Sequence, residues 1–312
     1  MNINPIDNKK IKTYFLKDRP SKVNIESFSK RFNKGGSFSD FIKILPDYLA
    51  AKDINELSEE IIKRHRKGSL IAIGMGAHVI KVGLAPIIIH LMEIGLINSI
   101  ALNGAGIIHD FEISYSGKTS EDVSAEIDNG LFGMAKDTAE LLNGAISKGA
   151  AENKGIGESI GKFINNSDFK NKDLSIIAKA YELNIPVTVH VTVGADIIHM
   201  HPSADGEAIG KSSLIDFKKF AGIVSKLEGG VYINIGSAVT MPEIFLKAIT
   251  LSRNLGFTID NIVTANMDFI QHYRPNVNVL RRPTQKGGRF FALTGHHEIM
   301  LPLLYSMLID KF

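Results

Sequence analysis

The sequence predicts an α/β fold: one doubly wound, mostly parallel sheet with helices on both faces and an N-terminal helical arm. Three observations carry that prediction. The chain has 312 residues, 44% of them hydrophobic, which suffices for one large α/β core or about two ordinary domains. From Ser69 onward, short Ile- and Val-rich runs alternate with stretches whose apolar residues recur at helical spacing. Nearly every short run exits into glycine or a small polar residue, as strands do where they hand over to a crossover helix.

Taken in order, residues 1–67 are polar and charge-rich and form the expected arm, leaving 68–312 as the main domain. Helices are expected around Ser39 to Leu49 and Ile54 to Arg66, the second with Ile54, Leu57, Ile61 and Ile62 near one face. SLIAIGMG then reads as a strand, VIKVGLAPIIIHLMEIG as helix and INSIALNGAG as the next strand: a βαβ unit. Pro86 is tolerable near a helix start, where its missing amide has no partner to lose. Residues 133–147 are expected to be helical, and 149–172 polar with at most a short helix. Leu174 to Leu183 is a helix leading into VTVHVTV, and Leu214 to Leu227 a helix leading into VYINIG. Pro242 to Asn254 precedes a strand expected at Ile259 to Ala265, and ALTGHHEIMLPLLYSMLIDKF supplies a last strand tip and a closing helix.

Composition excludes several classes of chemistry. With no cysteine, the chain has no disulfides, thiolate nucleophile, cysteine-ligated zinc or iron–sulfur cluster. Thirty-six basic against 33 acidic residues give a formal charge of +3. The basic runs at Lys9-Lys10, Lys63 to Lys67 and Arg281-Arg282 are short and do not alternate with aromatics, so no nucleic-acid partner is expected. The amino terminus is polar where a signal peptide is apolar, and Ile71 to Ile94 is interrupted by His78, Lys81, His90 and Glu93. A cytoplasmic protein with no membrane partner is the expectation.

Ligands of open parallel sheets bind at the carboxyl ends of the strands. The loops predicted there are Gly74-Met75-Gly76-Ala77, Asn103-Gly104-Ala105-Gly106, Gly194-Ala195-Asp196, Gly236-Ser237-Ala238 and Thr264-Ala265-Asn266. Glycine lets backbone amides approach an anion, so the set favours a nucleotide or other phosphate-bearing ligand, although GMGAHV lacks the last glycine of GxGxxG. GKTSEDV is not a P-loop, because Glu112 stands where the first glycine belongs, and Thr119 or Ser120 is expected to cap a helix there.

Polar neighbours of these loops are the catalytic candidates: Asp110, His199, His201 and Asp205, with Glu112, Glu207 and Asp268 as further carboxylates. The histidines suit hydrogen bonding to a ligand or acid–base work. A metal held by His199, His201 and Asp205 or Asp110 is an alternative, without any standard zinc spacing to support it. Lys286, in TQKGGRF, is a candidate nucleophile or imine former.

Four segments together resemble the deoxyhypusine synthase family: GMGAHVIKVGLAPIIIHLMEIGLINSIALNGAGIIHDFE, NIPVTVHVTVGAD, GGVYINIGSAV and IVTAN. The resemblance runs from about Asn24 to the closing helix. It implies a Rossmann-like fold, NAD as cofactor, and a homotetramer with active sites between subunits. It also implies dehydrogenation of spermidine and passage of the aminobutyl group through an enzyme lysine to a lysine of a translation factor. Cofactor contacts carried over by the resemblance fall on Gly76, Ala77, His78, Asn103, Gly104, Ala105, Gly106, Asp196, Gly236, Ser237, Thr264, Ala265 and Asn266. His296 and His297, which fall where the family has Asp-Ala, complete the cofactor contacts that the resemblance implies.

The chain departs from the family pattern at three places. It has no tryptophan for the family's Trp-Gly-Lys motif, so Lys286 matches the nucleophile only loosely. Met241-Pro242-Glu243 replaces a histidine pair, and MDFIQHYRP replaces an acidic stretch. The expected function is an NAD-dependent transferase acting on a polyamine-like amine. A metal-assisted enzyme and a non-catalytic nucleotide-binding homo-oligomer are the alternatives.

Overall fold

The computed structural model describes residue 1 and residues 3–312. Its strands are β1 (Ile71–Met75), β2 (Ser99–Asn103), β3 (Val187–His190), β4 (Val231–Ile235), β5 (Val263–Asp268) and β6 (Arg289–Thr294). Its helices are α1 (Phe38–Ile44), α2 (Leu49–His65), α3 (His78–Lys81), α4 (Ala85–Glu93), α5 (Gly104–Ser116) and α6 (Val123–Glu126). They continue with α7 (Lys136–Ala151), α8 (Ile156–Asn165), α9 (Ile176–Glu182), α10 (Gly206–Val224), α11 (Thr240–Asn254) and α12 (His297–Lys311). A seven-residue π-helical segment, Pro275–Arg281, lies between β5 and β6.

All five strand pairings are parallel, in the order β3-β2-β1-β4-β5-β6. This is the doubly wound order whose direction of growth reverses between β1 and β4. Strands β1 and β4 are buried at every position, which is why their sequences read as unbroken apolar runs rather than alternating ones. One face presents Ile71, Ile73, Met75, Ile233 and Ile235 to a core that includes α2, α4 and α12. The other presents Ala72, Ala101 and Tyr232 to α10 and α11, where Tyr232 stacks on Phe245 at 3.7 Å.

The expected arm divides in two. Residues 3–35 hold only two three-residue 3-10 turns and are almost wholly exposed. Helix α2 instead buries Ile54, Leu57, Ile61 and Ile62 in the same cluster as β1, so it is part of the body. The polar stretch after α7 contains α8, whose Ile156, Ile160 and Ile164 recur every fourth residue and are fully buried. Asp122, not Thr119 or Ser120, caps α6, its carboxylate accepting from Ser124 N at 3.1 Å.

The free edge of β3 is sealed from within. Asp216 of α10 accepts the Val189 N–H at 2.9 Å and the Gly157 N–H at 3.0 Å, tying strand edge, α8 and α10 together. Burial pushes its carboxyl up to about 6, against those donors and Lys219.

Candidate active site

The strand order places the reversal, and with it the crevice of this fold class, between the carboxyl ends of β1 and β4. There the two loops touch. A Cβ on Gly76 would lie 2.2 Å from the Gly236 carbonyl oxygen, so only glycine permits the approach. Gly236 itself has φ +63, a left-handed turn that sends the chain away from β4. Ser237 precedes α11, and its hydroxyl accepts from Met241 N, in the first turn of that helix, at 3.2 Å.

On the β2–β3 side of this contact lies a first polar cluster. The Asp196 carboxylate rests against Gly104, where any side chain would overlap it, and accepts the Thr192 N–H at 3.0 Å. Burial raises its carboxyl pKa, against the Thr192 amide and the nearby His199. Both ring nitrogens of His199 are buried and have no hydrogen-bond partner among the described residues. Asn103 caps α5, its side chain accepting from Gly106 N at 3.0 Å, with Gly104, Ala105 and Gly106 forming the first turn.

On the β4–β5–β6 side lies a second cluster, of rings. His78 after β1 meets Phe269 edge-on at 5.0 Å and His297 at 5.5 Å. Phe269 lies 4.6 Å from His297 and 5.4 Å from His296. His297 is 1% exposed and packs against Gly236. Its Nε2–H donates to the Met267 carbonyl at 3.2 Å, while Nδ1 is buried without a partner among the described residues. Burial holds this imidazole below its usual range, against the pull of the Met267 carbonyl and Asp268. Asp268 ends β5 and is itself buried, with one oxygen accepting the Phe269 N–H at 2.8 Å. Val193, Val239 and Ile270 in the surrounding loops and Ile299 in the first turn of α12 are exposed and give the edge an apolar rim.

The structure therefore gathers Gly76, Ala77, His78, Asn103, Gly104, Ala105, Gly106, Asp196, His199, Gly236, Ser237, His296 and His297 at one edge of the sheet. Other candidates fall elsewhere. Strand β5 runs on to Asp268, so Thr264 and Ala265 lie inside the sheet, opposite Tyr232 and Ile233. Asn266 is held between Asn234 at 2.7 Å and Gln271 at 2.8 Å. Asp110 is not poised for catalysis: buried beneath α5, it accepts from the Ser175 hydroxyl, Ile176 N and Ile177 N and so anchors the start of α9. Its burial outweighs these donors and lifts the carboxyl to about 6. Asp205 is the exposed cap of α10, accepting from Glu207 N at 2.9 Å. His201 Nδ1 is occupied by the Ser203 backbone N–H at 3.1 Å.

Lys286 is the largest displacement. It is exposed in the loop before β6, and because β6 is parallel to β5, that loop opens at the amino edge of the sheet. Among the described residues no three His, Asp or Glu side chains converge to hold a metal ion, so His199, His201 and a carboxylate do not form the alternative metal site. Glu112 accepts from Thr119 at 2.5 Å and Thr138 at 3.1 Å, away from the switch crevice. Sequence reasoning missed Phe269 as the centre of the ring cluster; the signal was the polar and apolar alternation of VTANMD, which extends the strand to its doorstep.

No family model matches the chain, and no curated protein matches it in sequence. Among solved structures it is similar to a conserved putative LOR/SDH protein from Methanococcus maripaludis S2, with TM-score 0.52 and 15% identity over 85% of this chain and 71% of that one. It is similar to AgrE, in a ternary complex with ornithine and NAD+, with TM-score 0.52 and 14% identity over 83% of this chain and 33% of that one. A putative deoxyhypusine synthase from Entamoeba histolytica aligns over 90% of this chain and 96% of that one, at TM-score 0.47 and 10% identity. The chain spans about a third of the AgrE chain and 31% of a cyanobacterial arginine dihydrolase, ArgZ, that it also matches. The first two likenesses establish the Rossmann-like α/β fold. Among the described residues no helix is long and apolar enough to cross a membrane.

Proposed function

We propose that this chain is a divergent deoxyhypusine-synthase-like enzyme that binds NAD at the carboxyl edge of its sheet and acts on a polyamine-like amine. One observation carries the reading: two polar clusters flank the Gly76–Gly236 contact at the reversal of strand order, as the two ends of a dinucleotide require. The residues fit such a ligand. Gly76 and Gly236 let the β1 and β4 loops meet at the reversal, where a pyrophosphate would cross, and Asp196 offers a buried carboxylate beside the end of β2, where dinucleotide folds hold a ribose hydroxyl. The orphaned His199 nitrogens supply further hydrogen-bonding capacity next to it. When bound, the nicotinamide supplies a hydride acceptor.

The chain's own groups handle the amine. Asp268 pairs an ammonium, and the face of Phe269 adds a cation–π contact worth about 0.5–2 kcal/mol. The apolar rim excludes water around them. Transfer through an enzyme lysine has no support from Lys286, which lies at the other edge, so amine dehydrogenation is the step these residues favour. The family resemblance extends the proposal to a homotetramer whose subunits close each other's sites; light scattering tests that assembly. AgrE, a structure holding ornithine and NAD+, shares the fold and lends the same direction to the reading.

The deciding experiment is calorimetric titration with NAD, followed by spectrophotometry of cofactor reduction with spermidine and shorter diamines. Binding and amine-dependent reduction support the enzyme. Binding without reduction moves the reading to a nucleotide-binding homo-oligomer, and no binding sinks both.

A further inference from the structure

We infer that His297 is the proton acceptor of this site, taking a proton from the bound amine on Nδ1. The inference rests on the proposed reading of the carboxyl edge and deepens it. A carbonyl oxygen can only accept, so the contact with the Met267 oxygen places the imidazole proton on Nε2 and leaves a bare lone pair on Nδ1. That lone pair is buried and has no partner among the described residues. A histidine present only for packing gains nothing from an orphaned nitrogen, which costs about 1–3 kcal/mol. The same Met267 oxygen also accepts the Gly236 N–H at 3.0 Å, so ring orientation is tied to the loop at the switch point.

The groups around the ring suit proton exchange. Asp268 from β5 and Glu298 from its own helix favour the imidazolium once formed, while burial and His78 from the β1 loop keep the resting ring neutral. Phe269 packs edge-on against the ring, 4.6 Å between centroids, and its 40% exposure makes it the solvent-side neighbour of the imidazole. The exchange itself is balanced. The ammonium R–NH3+ and neutral imidazole give R–NH2 and imidazolium; one N–H bond breaks on the amine and one forms at Nδ1. The freed nitrogen lone pair is what later formation of a C=N bond needs.

The test uses the full chain with 15N-labelled histidine and two-bond 1H–15N correlation spectra. One ring, absent from the spectrum of His297→Gln, is expected to show a protonated Nε2 and a bare Nδ1. Gln at this position keeps an N–H for the Met267 carbonyl and removes the basic lone pair. Spermidine added in the presence of NAD should perturb that Nδ1 resonance through contact with the amine, and Phe269→Ala should make the ring titrate at higher pH. In His297→Gln saturated with NAD, amine-dependent reduction of NAD should fall by about 100-fold or more. A protonated Nδ1 in the free protein, or NAD binding with no Nδ1 response to spermidine, overturns the inference and leaves the dinucleotide reading standing. A spermidine response in a protein that does not bind NAD keeps the proton acceptor and removes the dinucleotide.

Discussion

The two edges of the sheet are built from similar material and arranged for opposite purposes. At the amino edge lies a cavity of about 980 Å³, lined by Leu70, Ile185, Pro186, Val187, Ile223 and the Glu158–Lys219 ion pair among others. Its charged Glu158 and Lys219 are paired with each other. At the carboxyl edge two histidines keep buried nitrogens without partners among the described residues: His199, at both nitrogens, and His297, at Nδ1. Volume alone would point to the end of the molecule opposite the proposed site. Unpaired hydrogen-bonding capacity at a topological switch point is the better guide, because leaving it unpaired is costly in a fold that has no use for it.

Substitution at the switch contact should separate the edges most strongly. Gly76→Val places branched carbon against the Gly236 carbonyl, and an unfolding titration is expected to show a loss of at least about 3 kcal/mol, with NAD binding abolished in calorimetry. An unchanged NAD affinity would mean the dinucleotide is not bound at this contact.

Acidity probes the structural carboxylates next. Asp110 and Asp216 both have folded pKa values of about 6, above their unfolded values, so the folded state binds the extra protons. Stability therefore falls as pH rises from about 4 to about 6, by up to about 3 kcal/mol per carboxyl. Asp216→Asn should flatten one share of that fall in urea titrations across the window, and an identical profile would show that Asp216 titrates normally.

Removing a structural anchor is expected to cost less. Asp110→Ala strands the Ser175 hydroxyl and two amides, for about 2 kcal/mol, without altering NAD affinity of the folded fraction. A selective loss of cofactor binding would return Asp110 to the active site. The smallest effect belongs to Lys286→Ala. Exposed at the amino edge, it should change stability by less than about 0.5 kcal/mol and leave turnover intact. Loss of turnover would show that a second copy brings this lysine to the carboxyl edge.

Much of the architecture was legible because parallel strands buried on both faces must be apolar throughout, and SLIAIGMG and VYINIG are. The loops at their ends were legible for a similar reason, since close approach at Gly76 and a left-handed turn at Gly236 admit little else. Strand β5 was harder: Asn266 and Asp268 look like loop residues until Asn234 and Gln271 are seen to satisfy Asn266 inside the sheet. Helix α8 hid behind its polar faces, and Asp110 and Asp205 looked catalytic because a capping carboxylate and a catalytic one are the same letter.

By itself, then, the sequence determined the class of fold, the succession of strand and helix, and the glycine loops at which a ligand would be sought. These follow from local rules, the period of hydrophobicity and the steric freedom of glycine, that act over a few residues. Only the tertiary structure decided which polar groups share an edge. Parallel pairing of β5 and β6 sent Lys286 to one end and His297 to the other, although only ten positions separate Lys286 from His296. It also decided which histidine keeps a lone pair in reserve, because that depends on a carbonyl thirty residues away, at Met267.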